Sequence, residues 1–185
     1  MAILSVALSE ARIKKISPHI KGDVLEIGCG HGQMRERFDG QISRYTGVDM
    51  CAESIEAAER AFPQDTFHLA NIDDEKLPFT NEFDTVVLTA VIEHIFNLGV
   101  LGESIAQALR PGGRAVLTTP TPFGNDIVHR LGAAVGLFDR AAVDDHIVIF
   151  NRKRFEIFAG EFGLRLAEHR RFQLGCNQIA ILEKP

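Results

Sequence analysis

The sequence predicts a doubly wound α/β fold, with helices on both faces of a mostly parallel β-sheet. Short apolar runs alternate with amphipathic or alanine-rich segments from residue 23 to residue 119, as strands and crossover helices do. The run at 83–89 is almost continuously apolar, which is typical of a strand that is buried on both faces. Two more apolar segments, at 164–172 and 177–182, follow each other without an intervening helix. They predict a C-terminal antiparallel hairpin at one side of the sheet.

Each element has a local reason in the sequence. A first helix is predicted at 5–16, and it ends where Pro18 restricts the backbone of the preceding residue. A helix at 52–62, rich in alanine and glutamate, ends before Pro63 for the same reason. The other elements follow from apolar patterning between turn residues, and they are strands at 23–28, 44–49, 66–69, 83–89 and 114–119 and helices at 31–38, 98–109 and 152–162.

Residues 120–150 interrupt this alternation, and we predict that they form an insertion within a single domain of residues 1–185. The break begins with the proline-containing segment 120–122. One amphipathic pattern inside the insertion predicts a helix, whose apolar face carries Ile127, Leu131, Val135 and Phe138.

Composition and charge exclude several classes of protein. The chain has a net charge of −5, which gives no general attraction to nucleic acid or to an anionic membrane. No apolar run approaches the roughly 20 residues of a membrane span, and the first residues do not have the pattern of a secretory signal. The three cysteines are an odd number without metal-ligand spacing. We therefore expect a reduced, cytoplasmic protein without a metal site, and its oligomeric state is not indicated.

The most informative segment is 24–32, which reads as a buried strand that enters a loop with glycine at every second position, at Gly28, Gly30 and Gly32. Glycine lets a backbone approach a ligand closely because it has no Cβ. Asp49 follows the next apolar strand, and its carboxylate can accept hydrogen bonds from two ribose hydroxyls. This order is typical of a nucleotide-binding βαβ unit, which consists of a strand, a glycine loop, a helix and a second strand that ends in a carboxylate.

Glu26 stands two residues before the first glycine of this G-x-G-x-G loop, and the segment resembles the S-adenosylmethionine site of class I methyltransferases. An LPF segment at 77–79, an EH pair at 93–94 and a PGG turn at 111–113 agree with that family in the same order. The EH pair is similar to the small-molecule branch related to ubiquinone-biosynthesis methyltransferases. The Asn/Asp-Pro-Pro-aromatic motif of enzymes that methylate planar amines is absent.

The resemblance is strong over residues 22–119 and loose over 144–182. It implies a Rossmann-like fold with S-adenosyl-L-methionine as the cofactor. The positions that match the family's cofactor site are Glu26, Gly28, Cys29, Gly30, Gly32, Asp49, Met50, Asn71, Ile72 and Ala90.

Two of these cofactor positions have alternative interpretations. Met50 is a candidate to pack on the adenine ring, with core filling as the alternative. Asn71 stands where the family commonly has an acidic residue that meets the adenine amino group, and its amide oxygen can accept the same hydrogen bond. Asp73 is the alternative adenine contact, and Asn71 is equally typical of a turn.

The candidate catalytic residues are His94 and His146, because a histidine can act as a general base near neutral pH. His129 is a further candidate on the substrate side, and Glu93 is interpreted as a residue that braces the loop. Each histidine has a structural alternative, as an ordinary core or loop residue. We expect the acceptor pocket beside the EH pair, Pro120 and the insertion.

The hypothesis from sequence is an S-adenosylmethionine-dependent methyltransferase that acts on a small molecule. Its main task would be to align a nucleophile with an activated methyl group. An NAD-dependent oxidoreductase is an alternative because the βαβ plan is shared, although the glycine spacing and the LPF segment argue against it. A non-catalytic S-adenosylmethionine-binding protein is a second alternative. A lipid-linked substrate, suggested by the apolar segment 132–138, is a weaker variant.

Overall fold

A seven-stranded sheet forms the centre of the computed structural model, which describes residues 3–38, 40–124 and 146–185. The strands are β1 (Gly22–Ile27), β2 (Ile42–Asp49), β3 (Thr66–Leu69), β4 (Phe83–Thr89), β5 (Leu109–Pro120), β6 (Arg165–Phe172) and β7 (Asn177–Glu183). The helices of the described ranges are α1 (Ile3–Ile16), α2 (Gln33–Arg37), α3 (Ala52–Ala61), α4 (Leu98–Ala108) and α5 (Arg152–Glu161).

The strand order is β3-β2-β1-β4-β5-β7-β6. All neighbouring strands are parallel except β7, which pairs antiparallel with both β5 and β6. The predicted fold class is therefore confirmed, including the closing hairpin. The chain winds outward from β1 to β3 and then returns to β4 on the other side of β1, so the crevice for a ligand lies where the carboxyl ends of β1 and β4 meet.

The sheet is buried on both faces because neighbouring side chains of a strand point to opposite sides. Leu25 and Val86 pack in the cluster that also contains the apolar residues of α4 and α5. Val24 and Val87, one residue away, pack in the second cluster with α1, α2 and α3. This division explains why the central strands read as continuous apolar runs rather than as alternating ones.

The PGG segment at 111–113 differs from its expected place in a turn before the strand. It is hydrogen-bonded into the start of β5, since the Gly112 N–H donates to the Lys184 carbonyl over 2.9 Å and the Lys184 N–H donates to the Gly113 carbonyl over 3.0 Å. The pairing with β4 is irregular at the same level, between Phe83 and Thr85. The turn residues thus form a bulged end of the strand, because β7 provides partners for their backbone groups.

The predicted helix with Ile127, Leu131, Val135 and Phe138, the segment 132–138 and the candidate His129 lie outside the described residues. In the part of the chain that is described, the helices are too short or too polar to cross a bilayer.

Gly102 allows α4 and the end of α5 to approach closely. A Cβ at this position would lie 2.1 Å from the ring of Phe162, so we expect Gly102→Ala to destabilise the fold by about 1–3 kcal/mol through overpacking. Gly99 is in the same helix and is exposed, and its Cβ would meet only an ordinary contact at 3.4 Å. Gly99→Ala should instead stabilise by up to about 1 kcal/mol.

Urea denaturation of the two variants beside the unchanged protein measures both effects. Opposite signs support the close packing of α4 against Phe162. Stabilisation by Gly102→Ala would contradict it.

Candidate active site

The glycine loop after β1 is held tightly against the end of β2. The N–H groups of Gly28 and Cys29 both donate to the Val48 carbonyl, over 2.8 and 3.1 Å. Gly28 has a φ of +77°, and a Cβ here would lie 2.4 Å from Cγ2 of Val91. A glycine is needed at this position both for the backbone conformation and for the contact with the loop that follows β4.

Asp49 organises the next part of the loop through both carboxylate oxygens. The Gly30 N–H donates to Oδ2 over 2.8 Å, and the Cys51 N–H donates to Oδ1 over 2.9 Å. Because each carboxylate oxygen has a second lone pair, Asp49 keeps acceptor capacity for a ligand. Gly30 has open space where a Cβ would be, so the loop presents bare backbone to the crevice.

Glu26 lies at the end of β1 and is almost fully buried. Burial raises the pKa of Glu26 to about 8, and the nearby Asp49 adds to the rise, while a hydrogen bond from the Tyr45 hydroxyl lowers the pKa in part. Burial also raises the pKa of Tyr45 above its ordinary value. Glu26 is thus a largely protonated acid at neutral pH beside the glycine loop.

Cys29 is a buried residue with a structural rather than a reactive role. Burial, with the charges of Glu26 and Asp49, raises the pKa of its thiol to about 12, so it is not a thiolate nucleophile at neutral pH. Its sulfur would lie 2.7 Å from a Cβ at Gly47. Cys29 therefore fills space between the loop and β2.

A cavity of about 290 Å³ opens between the glycine loop, the end of β4 and α1. It brings together the predicted Glu26, Gly28, Cys29 and Gly30. The lining also includes residues that sequence reasoning did not select, namely Ser9, Ile13, His31, Gln33, Met34 and Thr89. The residues from α1 and α2 have no chemical signature in the sequence, because only the folded arrangement brings these helices over the crevice.

The residues after β2 and β3 differ in their environment. Met50 is 70% exposed, so it does not fill the core. Asn71 forms a turn, in which Oδ1 accepts from the Asp73 N–H over 3.1 Å and Nδ2 donates to Asp74 over 2.8 Å. Ile72 is buried.

Asp73 has a structural contact that the sequence did not predict. Its Oδ1 accepts from the Asn97 N–H over 2.7 Å, and the Asn97 side chain in turn accepts from the Val100 N–H as the N-cap of α4. Asp73 therefore positions the start of α4, whereas Oδ1 of Asn71 retains a second lone pair toward a ligand.

The backbone is strained directly after β4. Ala90 has a φ of +57°, a left-handed conformation that costs about 1–2 kcal/mol for a residue with a Cβ. Its N–H is held by the Thr118 carbonyl over 2.9 Å. The side-chain hydroxyls of Thr89 and Thr118 are buried without a hydrogen-bond partner among the described residues. Strain and unmet polar groups concentrate at functional sites, so this edge is a candidate binding region.

Glu93, His94 and His146 converge beside this edge. The first two lie in a short 3-10 turn, Ile92–His94, and the rings of His94 and His146 are 5.0 Å apart. One ligand atom from each of the three side chains lies within 4.8 Å of the others. The structure thus brings both candidate catalytic histidines together, and it adds Glu93 as a third group that could hold a cation.

Glu93 braces the loop through its backbone, since its carbonyl accepts from the Ile147 N–H over 2.8 Å and from the Val148 N–H over 3.2 Å. Its side chain is almost fully buried. Burial raises the pKa of Glu93, and Thr119, His94 and Arg12 offset part of the rise.

Arg12 on α1 is a partly buried cation that sequence reasoning missed. Burial lowers its pKa, and the charge of Glu93 opposes this effect. Its guanidinium donates to Asn177 Oδ1 over 3.4 Å. A lone arginine in an amphipathic helix is ordinary, so only the packing of α1 over the sheet distinguishes Arg12.

Glu26 makes the stability of the fold depend on pH. Its folded-state pKa of about 8 lies above the ordinary value of 4.5, so between these values the unfolded chain is ionised while the folded chain still holds the proton, and stability falls as pH rises. We expect a fall of at most about 1.4 kcal/mol per pH unit from this group. Urea denaturation at about pH 5.5 and about pH 7.5 measures the change.

Glu26→Gln is the matched control because it keeps an oxygen for the Tyr45 hydroxyl and does not titrate. Its stability should depend less on pH over the same interval. The same pH dependence in both proteins would show that Glu26 is not held neutral in the fold.

Known proteins resemble the chain in both sequence and structure. A sequence profile of the methyltransferase domain family matches residues 7–169. Ubiquinone biosynthesis O-methyltransferase of Psychrobacter cryohalolentis is 32% identical over 102 residues, which are 52% of this chain and 40% of that protein. tRNA U34 carboxymethyltransferase of Pseudoalteromonas atlantica is 29% identical over 126 residues, which are 64% of this chain and 39% of that protein.

A crystal structure of an S-adenosylmethionine-dependent methyltransferase from Mesorhizobium loti has the same fold, with a TM-score of 0.73 and 16% identity over 94% of this chain and 96% of that one. The chain spans about two fifths of the length of the two curated relatives. The family implies S-adenosylmethionine as the cofactor. The identification made from the glycine loop is confirmed, and this chain belongs to the methyltransferase domain family, with the class I fold.

Proposed function

We propose that the chain transfers a methyl group from S-adenosylmethionine to a small-molecule acceptor. The observation that carries this proposal is the joint position of Gly30 and Asp49 at the crevice. Gly30 leaves open space for a ligand, and Asp49 is fixed by two backbone N–H groups with lone pairs to spare. Together they suit a ribose placed against the carboxyl end of the sheet.

The other proposed cofactor residues differ in position, since Glu26 lines the cavity whereas Met50, Asn71 and Ile72 follow β2 and β3 outside its lining. The exposed Met50 side chain offers an apolar surface for a flat ring beside Asp49. Asn71 offers its remaining amide lone pair, and the buried Ile72 shapes the wall next to it. Glu26 faces the cavity from the end of β1, where its carboxyl group can accept hydrogen bonds from a cationic amino group.

The proposed cofactor site also includes Gly28, Cys29 and Gly32, which shape the loop. They set the path of the loop rather than contact the ligand through side chains, because Gly28 and Gly32 have φ values of +77° and +78°. A Cβ at Gly32 would lie 2.9 Å from the ring of Phe62. These positions fix where the N–H groups of the loop point.

When bound, the cofactor supplies an activated methyl group, so the chain's own residues need mainly to orient the acceptor and exclude water. The helix α1 covers the cavity through Ser9 and Ile13 and limits the access of water. The left-handed Ala90 backbone and the contact of Val91 with Gly28 support an acceptor side next to the glycine loop. His94 and His146 supply nitrogen lone pairs on that side.

A small acceptor is supported by two features. The net charge of −5 gives no general attraction to nucleic acid, and the sequence lacks the motif that orients planar amines of bases. One matched relative is named for ubiquinone biosynthesis and another for tRNA. The test is therefore to compare methylation of small hydroxylated compounds with methylation of transfer RNA. Methylation of a transfer RNA but of no small hydroxylated compound would overturn this part of the proposal.

The free cysteines and the thiol of Cys29, held protonated by burial, fit a reducing compartment. We therefore propose a cytoplasmic location. Protease treatment of intact and of lysed cells tests this location. We expect the protein to be protected in intact cells and degraded in lysed cells.

The cofactor assignment predicts tight binding of S-adenosylhomocysteine and none of NAD in calorimetric titrations. Asp49→Ala removes hydrogen bonds to a charged acceptor, which are worth about 1.5–3 kcal/mol. We expect at least a roughly tenfold loss of affinity from this change. Glu56→Ala is the control, because Glu56 is an exposed carboxylate on α3 with only a surface partner, Arg60.

Unchanged affinity in Asp49→Ala would contradict the ribose assignment. Binding of NAD without S-adenosylhomocysteine would favour an oxidoreductase. Binding of S-adenosylhomocysteine without turnover of any acceptor would favour a non-catalytic binding protein of the same fold.

A further inference from the structure

We propose that Glu93, His94 and His146 form a site for a divalent transition-metal ion on the acceptor side of the crevice. The binding of the ion is independent of the proposed function. Its role in methyl transfer, described below, rests on that function.

The three side chains are held together by the backbone around them. Glu93 and His94 belong to one 3-10 turn, Ile92–His94. The next segment is tied to that turn because the N–H groups of Ile147 and Val148 both donate to the Glu93 carbonyl, over 2.8 and 3.2 Å. His146 is adjacent to these anchored residues, and its ring lies 5.0 Å from that of His94. The turn Ile92–His94 and the segment that begins at His146 are thus held against each other.

The distances suit a single ion after a small adjustment. One ligand atom from each side chain lies within 4.8 Å of the others. In a tetrahedral site, bonds of about 2.0–2.2 Å to histidine nitrogen or carboxylate oxygen place the donors about 3.3–3.6 Å apart. Side-chain movements that total roughly 1–1.5 Å bring the three donors into this range, and the partly exposed His146 has room for part of this movement.

Glu93 provides an independent reason for a cation. It is only 1% exposed, and its Oε2 has no hydrogen-bond partner among the described residues. A buried carboxylate oxygen without a partner is costly, whereas a metal ion would satisfy this oxygen directly. The charge of Arg12 acts on Glu93, but within the described ranges no ion pair joins the two side chains.

The donor set indicates the kind of ion. Two imidazole nitrogens and one carboxylate oxygen suit Zn²⁺, Fe²⁺, Co²⁺ or Ni²⁺. Mg²⁺ prefers oxygen ligands in an octahedron, so we expect it to bind weakly here. Three protein ligands also leave coordination positions open, as in catalytic rather than structural zinc sites.

The open position would bind a hydroxyl oxygen of the acceptor, since a bound cation lowers the pKa of such a group. The hydroxyl proton leaves to solvent when the oxygen binds. The oxygen then attacks the methyl carbon of the cofactor, the carbon–sulfur bond breaks, and its electron pair stays on sulfur. The inferred acceptor class is therefore a small alcohol or phenol.

Calorimetric titration of untagged, chelator-treated protein with Zn²⁺ tests the site, with Co²⁺ absorption as a second readout of ligand geometry. We expect one ion per chain and much weaker binding of Mg²⁺. His94→Ala and His146→Ala should each lower the affinity for Zn²⁺ at least tenfold and change the Co²⁺ spectrum. His19→Ala, in the 3-10 turn after α1, removes a histidine outside the cluster and should leave both unchanged.

Circular dichroism and S-adenosylhomocysteine binding show that each variant is folded. Since His146 is only partly buried, His146→Ala keeps the test decisive even where a change at Glu93 disturbs the fold. The absence of stoichiometric Zn²⁺ binding, or equal Zn²⁺ affinity in both histidine variants and in the control, overturns the metal site. Failure of the unchanged protein to bind S-adenosylhomocysteine would instead count against the proposed function, whatever the result of the metal titration.

Discussion

The close approach of the β1–α2 loop to the end of β2 and to the loop after β4 is the constraint on which the site depends. Two N–H groups of the loop share the Val48 carbonyl, and Gly28 touches Val91 with no room for a Cβ. This contact joins the halves of the sheet at the point where the strand order reverses. This contact sets the distance between the Asp49 carboxylate and the segment that follows β4. The positions of both therefore depend on Gly28.

The fold was largely predictable because its signals are local. Continuous apolar runs indicate strands that are buried on both faces, and Pro18 and Pro63 mark helix ends within the chain itself. The structure places the elements where the sequence predicts them, and the hairpin forms as expected. The PGG segment was placed in a turn because its glycines permit one, and only the neighbouring β7 shows that it is paired instead.

The site divides in the same way between local and assembled features. The sequence alone singles out Glu26, the glycines and Asp49, because they follow the spacing of a nucleotide-binding βαβ unit. Arg12, Tyr45 and Thr89 are not visible, since their importance comes from burial against distant segments. The sequence placed the EH pair beside the insertion, but the close contact of His94 with His146 was not predictable, because no spacing rule joins residues about fifty positions apart.

The electrostatics of the crevice connect these parts. Burial and the nearby Asp49 raise the pKa of Glu26, and burial with the charges of Glu26 and Asp49 raises the pKa of the Cys29 thiol, so the region around the glycine loop disfavours further negative charge. Glu93 adds a second buried carboxyl group on the acceptor side. Such an arrangement is destabilising when the crevice holds no cation, because each buried carboxylate must be neutralised or left unmet. The positively charged sulfonium and ammonium groups of S-adenosylmethionine suit the proposed cofactor side near Glu26, whereas the proposed metal ion would satisfy Glu93. Because each cation would offset the cost of burying a carboxyl group, we expect the binding of either one to stabilise the folded chain.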